Sequence, residues 1–306
     1  MRARPVLAIV GPTAVGKSSL AMDVALATGA EIVSVDSAMV YRGMDIGTDK
    51  PTQEDRRRVR HHMVDVLEPS EDLSVARFQR LARTAVDSIL DSGGLPLLVG
   101  GSGLYFRAVV DPLEFPGTDP EIRHRWERSA EEGGAEKLYE HLRRVDPAAA
   151  DRIEPGNVRR IVRALEVIEV TGRRFSAFRS SWDQWKPVYD MRVVGLTMSR
   201  PLIDQRIDAR VERMVEAGWL EEVRRLEEGG AWSSTSAQTL GYAQMREHLR
   251  GRLTLDEAVE VTKRQTRRFA RRQLRWFKAD PRVRWFDSNP VAASEYLRKA
   301  GDLVVH

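Results

Sequence analysis

The chain has 306 residues, 42% of them hydrophobic, and carries 49 lysines and arginines against 45 acidic residues, a net charge of +4. That suffices for one large core or for two domains of ordinary size. The absence of cysteine excludes disulfides, zinc knuckles and thiol catalysis, and so even a charge count is informative only where the sign separates locally.

The first element, VLAIV at residues 6–10, reads as a short buried strand. Two arginines precede it, but Gly11 and Pro12 break the apolar run too early for a secretory signal or a membrane span, so a soluble cytoplasmic protein is expected. Gly11, Pro12, Thr13, Ala14, Val15, Gly16, Lys17 and Ser18 then fit G-x-x-x-x-G-K-[ST], between that strand and an amphipathic pattern that predicts a helix from about Lys17. Glycines let backbone N–H groups converge on oxyanions, and the helix N-terminus adds partial positive charge. Lys17 neutralises bridging charge, and the Ser18 hydroxyl is a ligand for Mg²⁺. These features recognise a diphosphate. None of them recognises adenine or requires a third phosphate.

EIVSVDS at residues 31–37 predicts a second strand with Asp36 at its carboxyl edge, where α/β sheets hold their ligands. Asp36 and Ser37 also read as a simple turn and helix cap, and small-molecule kinases carry an acid at this place, so the position leaves the chemistry open. His61 and His62 are adjacent; on a strand they point opposite ways, which disfavours a metal pair. Residues 73–90 have helical periodicity and lead to LPLLVGGSG, residues 95–103, a further strand. It ends in Gly100, Gly101, Ser102 and Gly103 without the aspartate that an ordinary P-loop ATPase or GTPase places after its second apolar strand. The glycines read equally as a phosphate nest or as a close backbone approach.

After Asp111 the texture changes: Pro112, Pro116, Gly117 and Pro120 interrupt the chain, and only helical, Arg- and Glu-rich patterns follow as far as Thr171. Asn157 is a candidate N-cap for a helix that buries Ile161, Val162, Leu165 and Ile168 and leaves Arg159, Arg160 and Arg163 free to reach phosphate. VYDMRVVGLTM, residues 188–198, predicts a strand returning to the sheet. The fold class expected is therefore α/β, a P-loop NTPase-like parallel sheet flanked by helices, with an inserted all-helical subdomain. The core takes residues 1–115 and 191–306, and the insert takes 116–190. Trp182, Trp185, Trp219 and Trp232 fit packing better than base stacking.

Residues 263–284 hold ten basic residues against the single acid Asp280. As a helix to Lys278, this run places Arg264, Arg268, Arg271, Arg275 and Lys278 on one face, with Ala270, Leu274 and Phe277 on a second stripe. It reads as a solvated face or as a surface for a polyanion; the interleaved aromatics favour the second.

The stretches GPTAVGKSSLA, SVDSAMVYRGMDIGTDKP, HHMVDVLEPSEDLSVARF, PLLVGGSGLYFRAVV, DPAAADRIEPGNVRRIVRALEV and TRRFARRQLRWFK together resemble the tRNA isopentenyltransferase (tRNA dimethylallyltransferase) family, in order and over nearly the whole chain. The chain differs from that pattern at Ala243, where arginine is usual, and at Ser102, where threonine is commoner. The resemblance implies transfer of a dimethylallyl group from dimethylallyl diphosphate to N6 of adenine 37 in the tRNA anticodon stem-loop, with Mg²⁺. It implies tRNA contacts from Asp36, Ser37, Ala38 and Met39, from Ser102 and Arg123, and from the stretch Arg159, Arg160, Ile161, Val162 and Arg163. The catalytic set expected is Asp36, Lys17, Ser18 and Ser102, with Asp36 taking the amine proton, residues 11–18 holding the diphosphate and Arg268 joining the tRNA surface. No exposed heptad argues for a dimer, so a monomer is expected. A small-molecule kinase and an RNA-binding NTPase are the alternatives; both predict that ATP is consumed, whereas the transferase predicts that a prenyl diphosphate is.

Overall fold

The computed structural model describes residues 4–179, 182, 184–230, 232–287 and 290–302. In chain order the elements are β1 (Val6–Val10), α1 (Lys17–Thr28), β2 (Glu31–Ser34), α2 (Gln53–Arg58), β3 (His61–His62), α3 (Val75–Asp91), β4 (Pro96–Gly100) and α4 (Gly103–Val110). Three helices follow, α5 (Pro120–Val145), α6 (Pro147–Ala150) and α7 (Val158–Thr171). The chain then returns through β5 (Met191–Thr197), α8 (Arg200–Glu216), α9 (Trp219–Glu228), α10 (Tyr242–Leu249), α11 (Leu255–Lys278), β6 (Val283–Asp287) and α12 (Pro290–Asp302).

The six strands form one sheet in the order β3-β2-β4-β1-β5-β6, with every pairing parallel. Strand β1 is central because every residue of it is apolar and buried, as a strand covered on both faces requires. Its side chains alternate between two cores. Val6, Ala8 and Val10 join α3, α4 and the helices α8 to α11 on one face, while Leu7 and Ile9 join α1 and α12 on the other. Helix α3 is held at its start by the Ser74 hydroxyl, which accepts from Arg77 N–H, and it buries Phe78, Ala82, Val86 and Ile89 at helical spacing. Among the described residues no helix is long and apolar enough to cross a membrane.

The chain divides into two compact units, Met1–Val110 with Pro187–His306, and Asp111–Lys186. The second unit starts and ends a few residues before the expected 116–190. The reason lies in the first unit, where Val188 N–H donates to the Val110 carbonyl at 2.8 Å, so the returning chain has rejoined before β5 begins. The second unit is all helical: Leu138 and Leu142 of α5 pack against Ile161, Val162, Ala164 and Leu165 of α7. Helix α5 is interrupted at Gly134, which stands at φ 82° and ψ 159°.

Three elements were hidden by composition. Strand β3 is only His61–His62, and β6 lies inside the tail of the basic run, where Arg282 is taken by buried Asp280 at 2.7 Å. The polar surface of α8 (Arg200–Glu216) disguises the buried stripe Ile203, Ile207, Val211 and Met214.

The glycines after β4 are explained by close approach. A Cβ on Gly100 would stand 2.4 Å from the carbonyl oxygen of Val35, the residue just past β2, and backbone cannot yield as a flexible side chain can. Gly100→Ala should therefore lower stability by about 1–3 kcal/mol. Gly117→Ala, with nothing within 4 Å of the added methyl, should stay within about 0.5 kcal/mol of wild type, both read by denaturant unfolding.

Candidate active site

Parallel strands with β1 between β4 and β5, and β4 beside β2, bring three connections to one edge of the sheet: residues 11–18 after β1, Asp36 beyond β2, and Ser102 beyond β4. The loop of residues 11–18 is built from backbone that most residues avoid, with Gly11 at φ 144°, Ala14 at φ 64° and Gly16 at φ 99°. Gly11 also has no room for a Cβ, which would lie 2.5 Å from the Leu196 carbonyl oxygen on β5. Gly16 caps α1 with no side-chain hydrogen bond, so a glycine occupies the place where a capping hydroxyl or carboxylate would compete with an anion. Lys17 and Ser18 open that helix, and the Lys17 ammonium donates to the Pro12 carbonyl at 2.7 Å.

Burial pulls Lys17 from its ordinary value down to about 8, and the Arg210 guanidinium adds to the depression; the carboxylates of Asp36 and Asp49 act against it. Asp36 is half-buried and its Oδ1 accepts from Ala38 N–H at 2.8 Å, so it does close a turn, though no helix follows it. Its charge also acts on Lys17, which ties the end of β2 to the loop. Ser37 lies against the Tyr105 hydroxyl, and burial, with the charge of Asp36 in support, pushes that phenol up to about 12. Met39 is half-buried and its sulfur accepts from the Ser34 hydroxyl at 3.4 Å. Ser102 is half-buried ahead of α4, its carbonyl accepting from Phe106 N–H at 2.9 Å.

Two residues that the sequence did not single out close the site. Arg210 of α8 donates to the Thr13 hydroxyl at 3.0 Å and pairs with Asp49 at 3.5 Å. Gln273 of α11, 6% exposed, accepts from Thr13 N–H at 2.9 Å. One amide of the loop is therefore already engaged by protein. Neither contact has a local signal, since 197 and 260 residues separate the partners. Beside Arg210 lies a cavity of about 430 Å³ lined by Lys50, Arg56 and Arg213, with Asp45 and Asp49 as its carboxylates. Its lining residues Asp45 and Ile46, with the adjoining Gly47, are fixed by Glu222, a buried carboxylate that accepts from their three successive backbone N–H groups and from the Tyr242 hydroxyl at 2.6 Å.

The basic surfaces need correction. Arg264, Arg268, Arg275 and Lys278 are exposed on α11, but Arg271 leaves that set for Asp204 at 3.3 Å. Lys263 pairs with Glu212 at 2.8 Å and Arg267 with Asp208, so α8 supplies the acids that the run itself lacks. Arg284 lies over the Tyr296 ring at 4.6 Å. In the helical unit Arg159 and Arg160 are exposed, whereas Ile161 and Val162 are core residues whose side chains cannot reach a ligand. Arg163 and Arg123 both grip the buried carboxylate of Glu166, at 2.8 and 3.0 Å, so Arg163 is not the free cation that its spacing suggests. Asn157 caps that helix by accepting from Arg160 N–H. Ala243 is half-buried in the first turn of α10.

His61, His62, Trp182, Trp219 and Trp232 are engaged in packing and pairing within the fold. His62 pairs with Glu31 at 2.6 Å and His61 with the Val59 carbonyl at 2.8 Å, and no group of three potential metal-ligating His, Asp or Glu side chains exists among the described residues. Trp219 is 1% exposed and meets the Tyr242 ring edge-on, Trp232 also packs near Tyr242, and Trp182 meets Phe115 edge-on.

Comparison with known proteins adds a family to this geometry. The family model described as IPP transferase matches residues 39–280, beginning just past Asp36. The tRNA dimethylallyltransferase of Carboxydothermus hydrogenoformans is 47% identical over 293 residues, covering 95% of this chain and 94% of its own. That of Streptomyces coelicolor is 50% identical over 300 residues, with 98% and 95% covered. A crystal structure of the full-length tRNA isopentenylpyrophosphate transferase from Bacillus halodurans matches with a TM-score of 0.71 at 39% identity, over 98% of this chain and 97% of that one. A eukaryotic dimethylallyltransferase captured acting on tRNA matches with a TM-score of 0.80 at 25% identity, over 96% and 78%.

The depressed Lys17 predicts a pH dependence for inorganic diphosphate at residues 11–18. The ammonium is present below about 8 and lost above it, so binding of inorganic diphosphate should weaken as pH rises through that value. Arg210→Gln removes one cause of the depression and should move the break upward. Diphosphate titrates identically in both assays, so an unmoved break would show that Arg210 does not act on Lys17.

Proposed function

Because the chain belongs to the IPP transferase family, we propose that it is a tRNA dimethylallyltransferase that moves the dimethylallyl group of dimethylallyl diphosphate to N6 of adenine 37 in the anticodon stem-loop. The observation that carries this reading is the meeting of a diphosphate loop with Asp36 at one sheet edge, where β4 ends in glycines and brings no acid. Small-molecule kinases share that placement of the acid, and the family match over residues 39–280 is what favours a substrate whose diphosphate leaves over one whose terminal phosphate is attacked.

The chemistry divides among the residues present. The adenine amine attacks the first carbon of the dimethylallyl group; the carbon–oxygen bond breaks and diphosphate departs with the electron pair. The loop amides, Lys17 and Arg210 receive the charge that grows on that leaving group. The amine becomes acidic as its nitrogen bonds to carbon, and the Asp36 carboxylate takes the proton it loses. Ser18 offers a hard oxygen donor beside the diphosphate site. Among the described residues no group of three potential metal-ligating side chains gathers there, so that donor fits Mg²⁺ bound mainly by diphosphate oxygens and water. Bound there, Mg²⁺ would add electrostatic stabilisation to the leaving group. Tyr105, beside Ser37 and within reach of the Asp36 charge, acts as a positioning group, with Ser102 at the same sheet edge, and the exposed Arg159, Arg160 and Arg268 are suited to tRNA phosphates. A monomer acting in the cytoplasm completes the proposal.

Incubation with tRNA, Mg²⁺ and labelled dimethylallyl diphosphate should label the tRNA. Asp36→Asn should bind tRNA nearly as wild type does and lose at least about 10²-fold in single-turnover rate, the scale of a removed general base. Near-wild-type turnover would reduce Asp36 to the turn it closes with Ala38.

A further inference from the structure

The diphosphate loop contains one conformation that needs external support. Ala14 has φ 64°, a left-handed backbone that costs a residue with a side chain roughly 1–2 kcal/mol. Ala14 and the residue before it are held by groups far away in sequence. Ala14 itself packs with Ile203 and Ile207 of α8 and Ala270 of α11. The preceding Thr13 is gripped twice, its hydroxyl by Arg210 of α8 and its N–H by the buried amide of Gln273 on α11. The two helices are laced together by Asp204 with Arg271, Asp208 with Arg267 and Glu212 with Lys263, at spacings of four residues on both helices. The loop therefore sits in a seat formed by an α8–α11 pair.

Gln273 also reaches the other side of the site. A Cβ on Gly101 would lie 2.3 Å from the Gln273 amide nitrogen and 3.2 Å from the Gly11 carbonyl oxygen. The absent side chain at Gly101 is thus the space that the Gln273 amide fills, between the diphosphate loop and the turn that leads to Ser102. A buried amide so placed has two jobs: it accepts from the loop, and it spaces the loop from the β4 turn.

We infer that Gln273 is a positioning residue for the transfer reaction, holding Thr13, and through it the left-handed Ala14, in the conformation that receives the diphosphate. This rests on the reading that the loop holds a diphosphate. It adds a role for α11 in which the helix offers arginines on its exposed face while its buried face sets the geometry of the leaving-group site.

Two variants test it, with inorganic diphosphate as the binding probe. Gln273→Met keeps the volume and removes the acceptor, leaving Thr13 N–H unsatisfied. Diphosphate affinity and kcat should each fall about ten-fold. tRNA affinity should stay within about two-fold, and the melting temperature should change little. Gln273→Glu keeps an acceptor for Thr13 N–H but brings a negative charge toward the anion, so KM for dimethylallyl diphosphate should rise while kcat falls far less than in the methionine variant. Wild-type diphosphate affinity in Gln273→Met would overturn the inference. So would equal kcat losses in the two variants, or a parallel fall in tRNA affinity and melting temperature, which marks a merely structural role. If Gln273→Met does not fold, Gln273→Glu decides alone: a KM effect supports the inference, and a ten-fold kcat loss overturns it. Failure of the wild-type protein to bind diphosphate would instead sink the diphosphate reading, which distinguishes the two failures.

Discussion

The parallel pairing of β1 with β4 and of β4 with β2 is the constraint on which the site depends. Parallel strands end at the same edge of a sheet, so residues 11–18, Asp36 and Ser102, dispersed along the chain, meet there without any contact that local sequence must encode. The pairing also dictates composition. Backbone oxygens of Val35 and Leu196 stand where side chains of Gly100 and Gly11 would be, so glycines that look like a phosphate-binding motif are partly a consequence of how closely the strands and their loops approach.

Around that edge the structure replaces flexibility with long-range support. The left-handed Ala14 is packed between α8 and α11, Thr13 is fixed by Arg210 and Gln273, and the turn at Asp45–Gly47 hangs from the Glu222 carboxylate. A site that must stabilise a developing diphosphate gains from groups already in place, because reorganisation at the moment of bond breaking raises the barrier. Burial, with the Arg210 guanidinium adding to it, lowers Lys17 to about 8, and Asp36 and Asp49 limit the fall. The transferase thus keeps a dense positive site workable by placing carboxylates beside it.

Local pattern made part of this legible. The buried strand at residues 6–10, the loop after it, the helix from Lys17, the crossover α3 and the basic helix ending at Lys278 all have signals that lie within one turn or one strand. What escaped was set by partners distant in sequence. A charge count over residues 263–284 cannot register Asp204, Asp208 and Glu212, which neutralise one flank of that helix from α8. Spacing shows Arg163 on a helix face but not that Glu166, one turn on, is buried and claims it together with Arg123. Arg210 and Gln273 had no local mark at all, being an arginine in a charged helix and a glutamine in a basic one. β6 was hidden because Arg282 and Arg284 continue the basic composition past the helix end, although buried Asp280 and the Tyr296 ring take up those two side chains.

The central claim is that a loop of nucleotide-binding type here serves an alkyl diphosphate. Equilibrium competition against labelled dimethylallyl diphosphate, at matched Mg²⁺, tests it most directly. Inorganic diphosphate should displace the label from wild-type protein and do so poorly from Lys17→Ala, while ATP should compete more weakly than diphosphate. ATP displacing the label better than diphosphate would contradict the account, because the site would then be reading a base and a third phosphate that the geometry around Lys17, Arg210 and Asp36 gives it no means to prefer.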